Sequence, residues 1–164
     1  MPEFALRQLK AQAINEENFY PFGQVIYACE DDVPYSDRDA QLHLQDGIPR
    51  FYIMRLLEKG RKFHRLARHA KCTQCLGALD GKDWLIAVAP PSAGGVLQVD
   101  PKTINAFRIP GNCFIKLNCG TWHAGPYFEH EFVDFYNLEL SDTNISDRVT
   151  YDLMSIHGLA FEII

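Results

Sequence analysis

Short apolar runs separated by turn-forming residues fill the chain from residue 49 onward. "RFYIMRLLE" (50–58) carries β-branched and aromatic residues over a strand's length. "KFHRLARH" (62–69) alternates in part, and "TQCLGAL" (73–79) runs into Asp80-Gly81, a dipeptide that favours a two-residue hairpin turn. "KDWLIAVAPP" (82–91) follows as a strand ended by Pro90-Pro91. Further strands are predicted in "TINAFRI" (103–109), "NCFIKLN" (112–118), "EFVDFYNLEL" (131–140) and the tail "MSIHGLAFEII" (154–164). Their stops are Pro110-Gly111, Gly120 and "SDTN". Upstream, "NEENFYPFG" predicts one helical turn, with Asn15 as N-cap, Glu16 and Glu17 in the first turn and Pro21 and Gly23 as the stop. "GQVIYAC" (23–29) reads as a strand and "EDDVPYSDRDA" (30–40) as an exposed loop. Eight to ten short strands with a turn signal about every 8–12 residues predict an all-β sandwich or barrel with one or two short helices. Closing such a sheet protects its edges and leaves a mouth where side chains converge.

The 164 residues suit a single domain spanning 1–164. No run approaches the ~18 apolar residues of a membrane span, and "MPEFALRQLK" lacks a signal peptide's layout. A net charge of −5 gives no general field for nucleic acid. The basic cluster "KGRKFHRLARHAK" (59–71) reads as the polar face of a strand and its turns, or as a patch for an anionic small molecule. Five cysteines without a secretory signal predict reduced thiols in the cytoplasm. Cys72 and Cys75 form a CxxC, but no second pair completes a zinc site, and the segment is no helix start of the thioredoxin kind.

Spacing singles out some of the six histidines. His69 is followed by Gln74 and then Gly81, and Gly120 precedes His123 by three residues. These blocks resemble the two motifs of the cupin superfamily, which implies a cupin-like β-barrel, or double-stranded β-helix. In that resemblance His69 stands for the second motif-one histidine, Gln74 for the glutamate and His123 for the motif-two histidine. Ala67 holds the first histidine's place, and Asn118 stands for a proline. The implied metal ligands are therefore His69, Gln74 and His123, with His64 as a substitute third imidazole. The metal would be divalent, if one is bound at all.

A narrower resemblance covers most of residues 15–140. "RHAKCTQCLGALDGKDWLIAVAPP", "INAFRIPG", "GTWHAGPYF" and "FVDFYNLEL" resemble the ureidoglycolate lyase family. "DAQLHLQDGIPRFYIMRL" is similar to a subgroup of plants and photosynthetic microbes. The resemblance implies a cytosolic homodimer that cleaves ureidoglycolate to glyoxylate and urea in purine and allantoin breakdown, with nickel among the metals. Relative to the usual bacterial block, Gly120, Thr121, Trp122 and His123 are kept, while Asn118, Cys119 and Ala124 replace a histidine, an arginine and a histidine. The substrate is a carbinolamine whose cleavage needs a base, an acid and a holder for the carboxylate. Histidine, titrating near ~6.5, suits the first two roles. His69 and His123 are the expected pair, and Gln74 fixes one of them or hydrogen-bonds the urea amide. Lys116 is the expected carboxylate partner because Phe114, Lys116 and Asn118 share a strand face; Arg55 and Arg68 are the alternatives. Trp122 is expected to pack, and Asp134 to hydrogen-bond the barrel. A cupin that binds a small carboxylic acid without catalysis is the competing expectation.

Overall fold

The uninterrupted apolar run Trp84–Ala89 becomes a strand buried along its whole length, and it fixes the layers. The computed structural model describes residues 3–164. Strands are numbered in chain order. A five-stranded sheet has the order β3 (Gly23–Tyr27), β10 (Cys113–Leu117), β7 (Gln74–Ala78), β12 (Phe132–Leu140), β4 (Pro49–Leu57). A six-stranded sheet has the order β13 (Val149–Asp152), β6 (Arg65–Arg68), β11 (Trp122–Tyr127), β8 (Trp84–Ala89), β9 (Asn105–Ile109), β2 (Ala11–Ala13). A smaller sheet joins β1 (Ala5–Leu9), β14 (Leu159–Ile163) and β5 (Lys62–Phe63). Three short helices complete the set: α1 (Glu16–Phe19), α2 (Thr143–Ser146) and α3 (Leu153–His157). The chain is all-β in class, as expected.

Two cores hold these layers together. Trp84, Ile86 and Val88 of β8 pack with Phe107 and Ile109 against Leu76, Ile115, Leu117, Val133 and Phe135 of the five-stranded sheet. Leu85, Ala87 and Ala89 face the other way, onto Leu66, Trp122, Tyr151, Leu153, Phe161 and Ile163. A strand in a middle layer must be apolar on both faces, which is why β8 lacks alternation. Asn15 caps α1 as predicted: its Oδ1 accepts from the Asn18 amide at 2.8 Å, and Asn18 Oδ1 accepts from the Asn15 amide at 2.9 Å. The helix thereby sets Phe19 edge-on to Phe107, with ring centroids 5.2 Å apart.

The hairpin expected at Asp80-Gly81 does not form. Both residues adopt left-handed φ, +60° and +66°, so the local turn chemistry holds. The flanking strands nevertheless enter different sheets: β7 pairs with β10 and β12, β8 with β9 and β11. Beside β7, one face of β8 would have been left on the outside of the five-stranded sheet, so burial overrides the hairpin. The eight to ten strands expected become fourteen among the described residues. Several additions are short pairings. β11 is a six-residue strand in a stretch where the sequence predicts none.

Asp152 shows how one side chain ties layers together. It caps α3 through the Met154 and Ser155 amides at 3.0 and 3.3 Å, and it bonds His64 Nδ1 at 3.1 Å and Arg65 Nε at 3.3 Å. The His64 bond is foremost in holding its carboxyl down to about 2 from an ordinary 3.8. A carboxyl depressed in the folded state stabilises above the unfolded pKa, and the gain is lost as pH falls through the folded one. Asp152→Ala should therefore cost about 1–2 kcal/mol at neutral pH. Urea midpoints of both proteins, followed by circular dichroism, should converge as pH drops from 4 towards 2. A gap that stays constant across that window refutes the linkage.

Candidate active site

A cavity of about 220 Å³ opens between the two large sheets. A space of this size suits a small metabolite. Met54 and Leu56 of β4, Gln74 and Leu76 of β7 and Asn137 of β12 line one wall. Ala67 of β6 and His123, Gly125 and Pro126 of β11 line the other, with His69, Lys59, Asn144 and Arg148 completing the rim. The register of β11 on β8 shifts between Ala124 and Tyr127, so the strand bulges beside the cavity. Gly120, at φ +83°, makes the turn that leads into β11; its amide bonds the His69 carbonyl at 2.7 Å. That bond ties the two histidine-bearing segments together.

The two imidazoles meet, with ring centroids 5.2 Å apart. His69 Nδ1 lies 2.7 Å from the Asp147 carbonyl and His123 Nδ1 3.3 Å from the Thr121 carbonyl. A carbonyl only accepts, so Nδ1 carries the proton in both rings and Nε2 is left for the ligand. The Asp147 side chain accepts from the Ala70 and Lys71 amides at 3.0 and 2.8 Å, so it also fixes the loop that carries His69. Burial, then His69, hold the His123 pKa down to about 3 against the pull of the Thr121 carbonyl; Arg148 and Lys59 push the same way. His123 is a neutral proton acceptor at physiological pH.

Gln74 joins the pair from the opposite wall. Its Nε2 donates to Asn137 Oδ1 at 3.1 Å and Glu139 Oε2 at 3.3 Å, while its Oε1 is buried without a partner. The cavity thus brings together the three residues singled out by spacing.

The expected carboxylate partners lie elsewhere, for one reason. Side chains alternate across a sheet, and all three sit on the face turned away from the cavity. Arg55 sits between the cavity residues Met54 and Leu56, points away and bonds Asp134 at 2.8 and 3.0 Å. Arg68 follows Ala67 and lies 5.4 Å over the Trp122 ring. Lys116 does share a face with Phe114, but Ile115 and Leu117 are the residues in the inter-sheet core. Its Nζ bonds Asn118 Oδ1 at 2.8 Å, and burial lowers its pKa. His64, the substitute ligand, is bonded to Asp152 and does not line the cavity. The cations at the rim are Lys59 and Arg148, neither of which carries an ion pair among the described residues. Lys59 belongs to the basic cluster read as a patch for an anion. Asn144 ends the breaker-rich "SDTN" and Arg148 follows it, so no periodic signal marks either. Cys72 and Cys75 are free thiols; burial raises the first and pushes the second up to about 11, so neither is a ready thiolate.

The sequence model of the ureidoglycolate lyase family matches residues 6–156. The chain belongs to this family. No curated protein matches it in a search. Membership supports cleavage of ureidoglycolate in purine catabolism and does not favour a non-catalytic binder.

The divalent metal that the ureidoglycolate lyase resemblance implies can be tested against these donors. Tight sites of this kind use three or four imidazole or anionic ligands. No group of three or more His, Cys, Asp or Glu residues converges among the described residues. Ala67, which holds the first motif histidine's place, lies directly opposite His123 in the β6–β11 pair. A methyl group therefore stands where a third imidazole would. Two imidazoles and one amide, beside two cations, do not fit a tightly held divalent cation. Exhaustive dialysis against a chelator should leave the rate of ureidoglycolate cleavage unchanged. A lost rate that nickel restores would overturn this.

Proposed function

We propose that residues 1–164 form one lyase domain that cleaves ureidoglycolate to glyoxylate and urea, in the cytoplasm, as part of allantoin degradation. The observation that carries this reading is the facing pair His69 and His123, with Nε2 of each directed away from its backbone anchor. Lys59 and Arg148 hold the substrate carboxylate at the rim, in the role first expected of Lys116, Arg55 or Arg68. The neutral His123 takes the proton from the carbinol hydroxyl. The oxygen lone pair forms the C=O of glyoxylate as the C–N bond breaks. His123 passes that proton through the facing His69 Nε2 to the departing urea nitrogen, and the pair is restored. One proton leaves the substrate and one joins the product, so no other reactant is consumed.

A homodimer is part of the same reading. Its support is the outer face of the edge strand β4, where Phe51, Ile53 and Leu57 are exposed. Phe51 stacks on Tyr136 at 5.6 Å and Tyr136 lies 5.8 Å from Phe114, so an apolar stripe continues across the sheet. A second copy would cover it and protect an open strand edge.

Glyoxylate release from ureidoglycolate tests the lyase reading. His123→Ala should lower kcat by about 10²–10⁴-fold, as loss of a positioned proton transfer does, with unchanged circular dichroism. Lys59→Met and Arg148→Met should mainly raise KM. A His123→Ala protein of full activity ends the proposal. For the dimer, light scattering should give twice the chain mass for the native protein and a single chain mass for Ile53→Asp; a monomeric native protein removes that part.

A further inference from the structure

Glu139 is 1% exposed and lies outside the cavity lining, yet it sets the polarity of the wall. Three donors converge on its carboxylate: the Tyr52 hydroxyl at 3.0 Å and Asn144 Nδ2 at 3.3 Å on Oε1, and Gln74 Nε2 at 3.3 Å on Oε2. Because Tyr52 spends its proton on Glu139, its oxygen accepts from Asn137 Nδ2 at 2.9 Å. Asn137 must then turn its Oδ1 to the remaining neighbour, where Gln74 Nε2 donates at 3.1 Å. Both acceptors facing Gln74 demand its nitrogen. The amide cannot flip without placing oxygen against oxygen twice.

One atom is left over. Gln74 is 8% exposed and lines the cavity, and its Oε1 is a buried acceptor with no partner. Such an atom costs free energy until a ligand donates to it, and a ligand that presents an acceptor or a methyl there is rejected. We propose that Glu139 is a positioning residue that locks the Gln74 carbonyl oxygen into the cavity, so that the site selects ligands whose end distal to the carboxylate is an N–H donor, as in a ureido group. This inference rests on the reading of the cavity as a ureidoglycolate site. It adds what discriminates the ureido end, a task distinct from proton transfer. A glutamate at position 74 would offer no donor to Glu139 or Asn137; the amide lets a carboxylate one layer back define the wall.

Two unreactive glycine derivatives make the test. N-carbamoylglycine has a terminal NH₂ where N-acetylglycine has a methyl, and the two are otherwise alike. Titration calorimetry of the native protein should give about tenfold or tighter binding of the carbamoyl compound, the worth of one buried hydrogen bond. In Glu139→Gln, Tyr52 and Asn144 keep the new amide's oxygen on their side, so its nitrogen meets Gln74 Nε2. Gln74 is driven to flip, and the preference should fall by about an order of magnitude while N-acetylglycine binds as before. A loosened fold would weaken both ligands together, so the ratio separates positioning from stability. Should Glu139→Gln not fold, Gln74→Met carries the test, and a retained preference overturns the assignment. Equal binding by the native protein, or an unchanged ratio in folded Glu139→Gln, also overturns it. Selective binding without glyoxylate release from ureidoglycolate ends the lyase reading and leaves this inference standing. Binding of neither compound by the native protein ends both.

Discussion

A strand shows alternate side chains to opposite faces, and the walls of the cavity in this protein follow from that constraint. β12 makes the case by itself. Its inward residues run Val133, Phe135, Asn137, Glu139, so one strand seals the core at one end and polarises the cavity wall at the other. β4 pairs with it along its length and adds Tyr52, Met54 and Leu56 to the same side. What lies between these inward positions is turned out, however suitable its chemistry. Arg55 is a guanidinium one residue from the cavity, and it bonds Asp134 on the far face instead.

Much of the fold was legible because local and global demands agreed. Asn15, Glu16, Pro21 and Gly23 describe a capped turn, and α1 forms there. The strands from Pro49 onward carry their own composition. Legibility failed where a long-range demand opposed a local one. Asp80-Gly81 takes the turn conformation that its residues prefer, but the two-sided apolarity of Trp84–Ala89 sends the next strand into the middle layer. Gly125-Pro126 lies within a paired strand whose register shifts there, and no sequence pattern marks that strand. Within the cavity, His69, Gln74 and His123 were readable from spacing because turns fix them. Parity gave correctly which residues share a face with Lys116, but a single strand does not say which face is inside. Asn137 and Glu139 meet Gln74 across 63 and 65 residues, and nothing local marks such contacts.

The polar wall has a cost that shapes the rest of the cavity. A buried carboxylate without donors is strongly destabilising, and Glu139 is tolerable because Tyr52, Asn144 and Gln74 all donate to it. Once those donors are committed, little freedom remains: Asn137 and Gln74 have a single orientation each. The network therefore converts a stability requirement into a recognition surface, and its unfilled acceptor, Gln74 Oε1, is the residue of that conversion.

The electrostatics of the rim complete the account of the acid–base pair. With the cavity empty of anions, burial, His69, Arg148 and Lys59 all disfavour a proton on His123, and a base held down to about 3 is a weak one. Arg148 and Lys59 are also the cations within reach of a bound carboxylate. An anion placed between them cancels two of the influences that depress His123, so its proton affinity rises on binding. In the proposed cycle the substrate thereby eases its own deprotonation, while burial and His69, the larger influences, still hold His123 down. A neutral competitor of the same shape would fill the cavity and leave His123 depressed. On the proposed reading, charge on the ligand, and not merely its fit, couples occupancy to proton transfer.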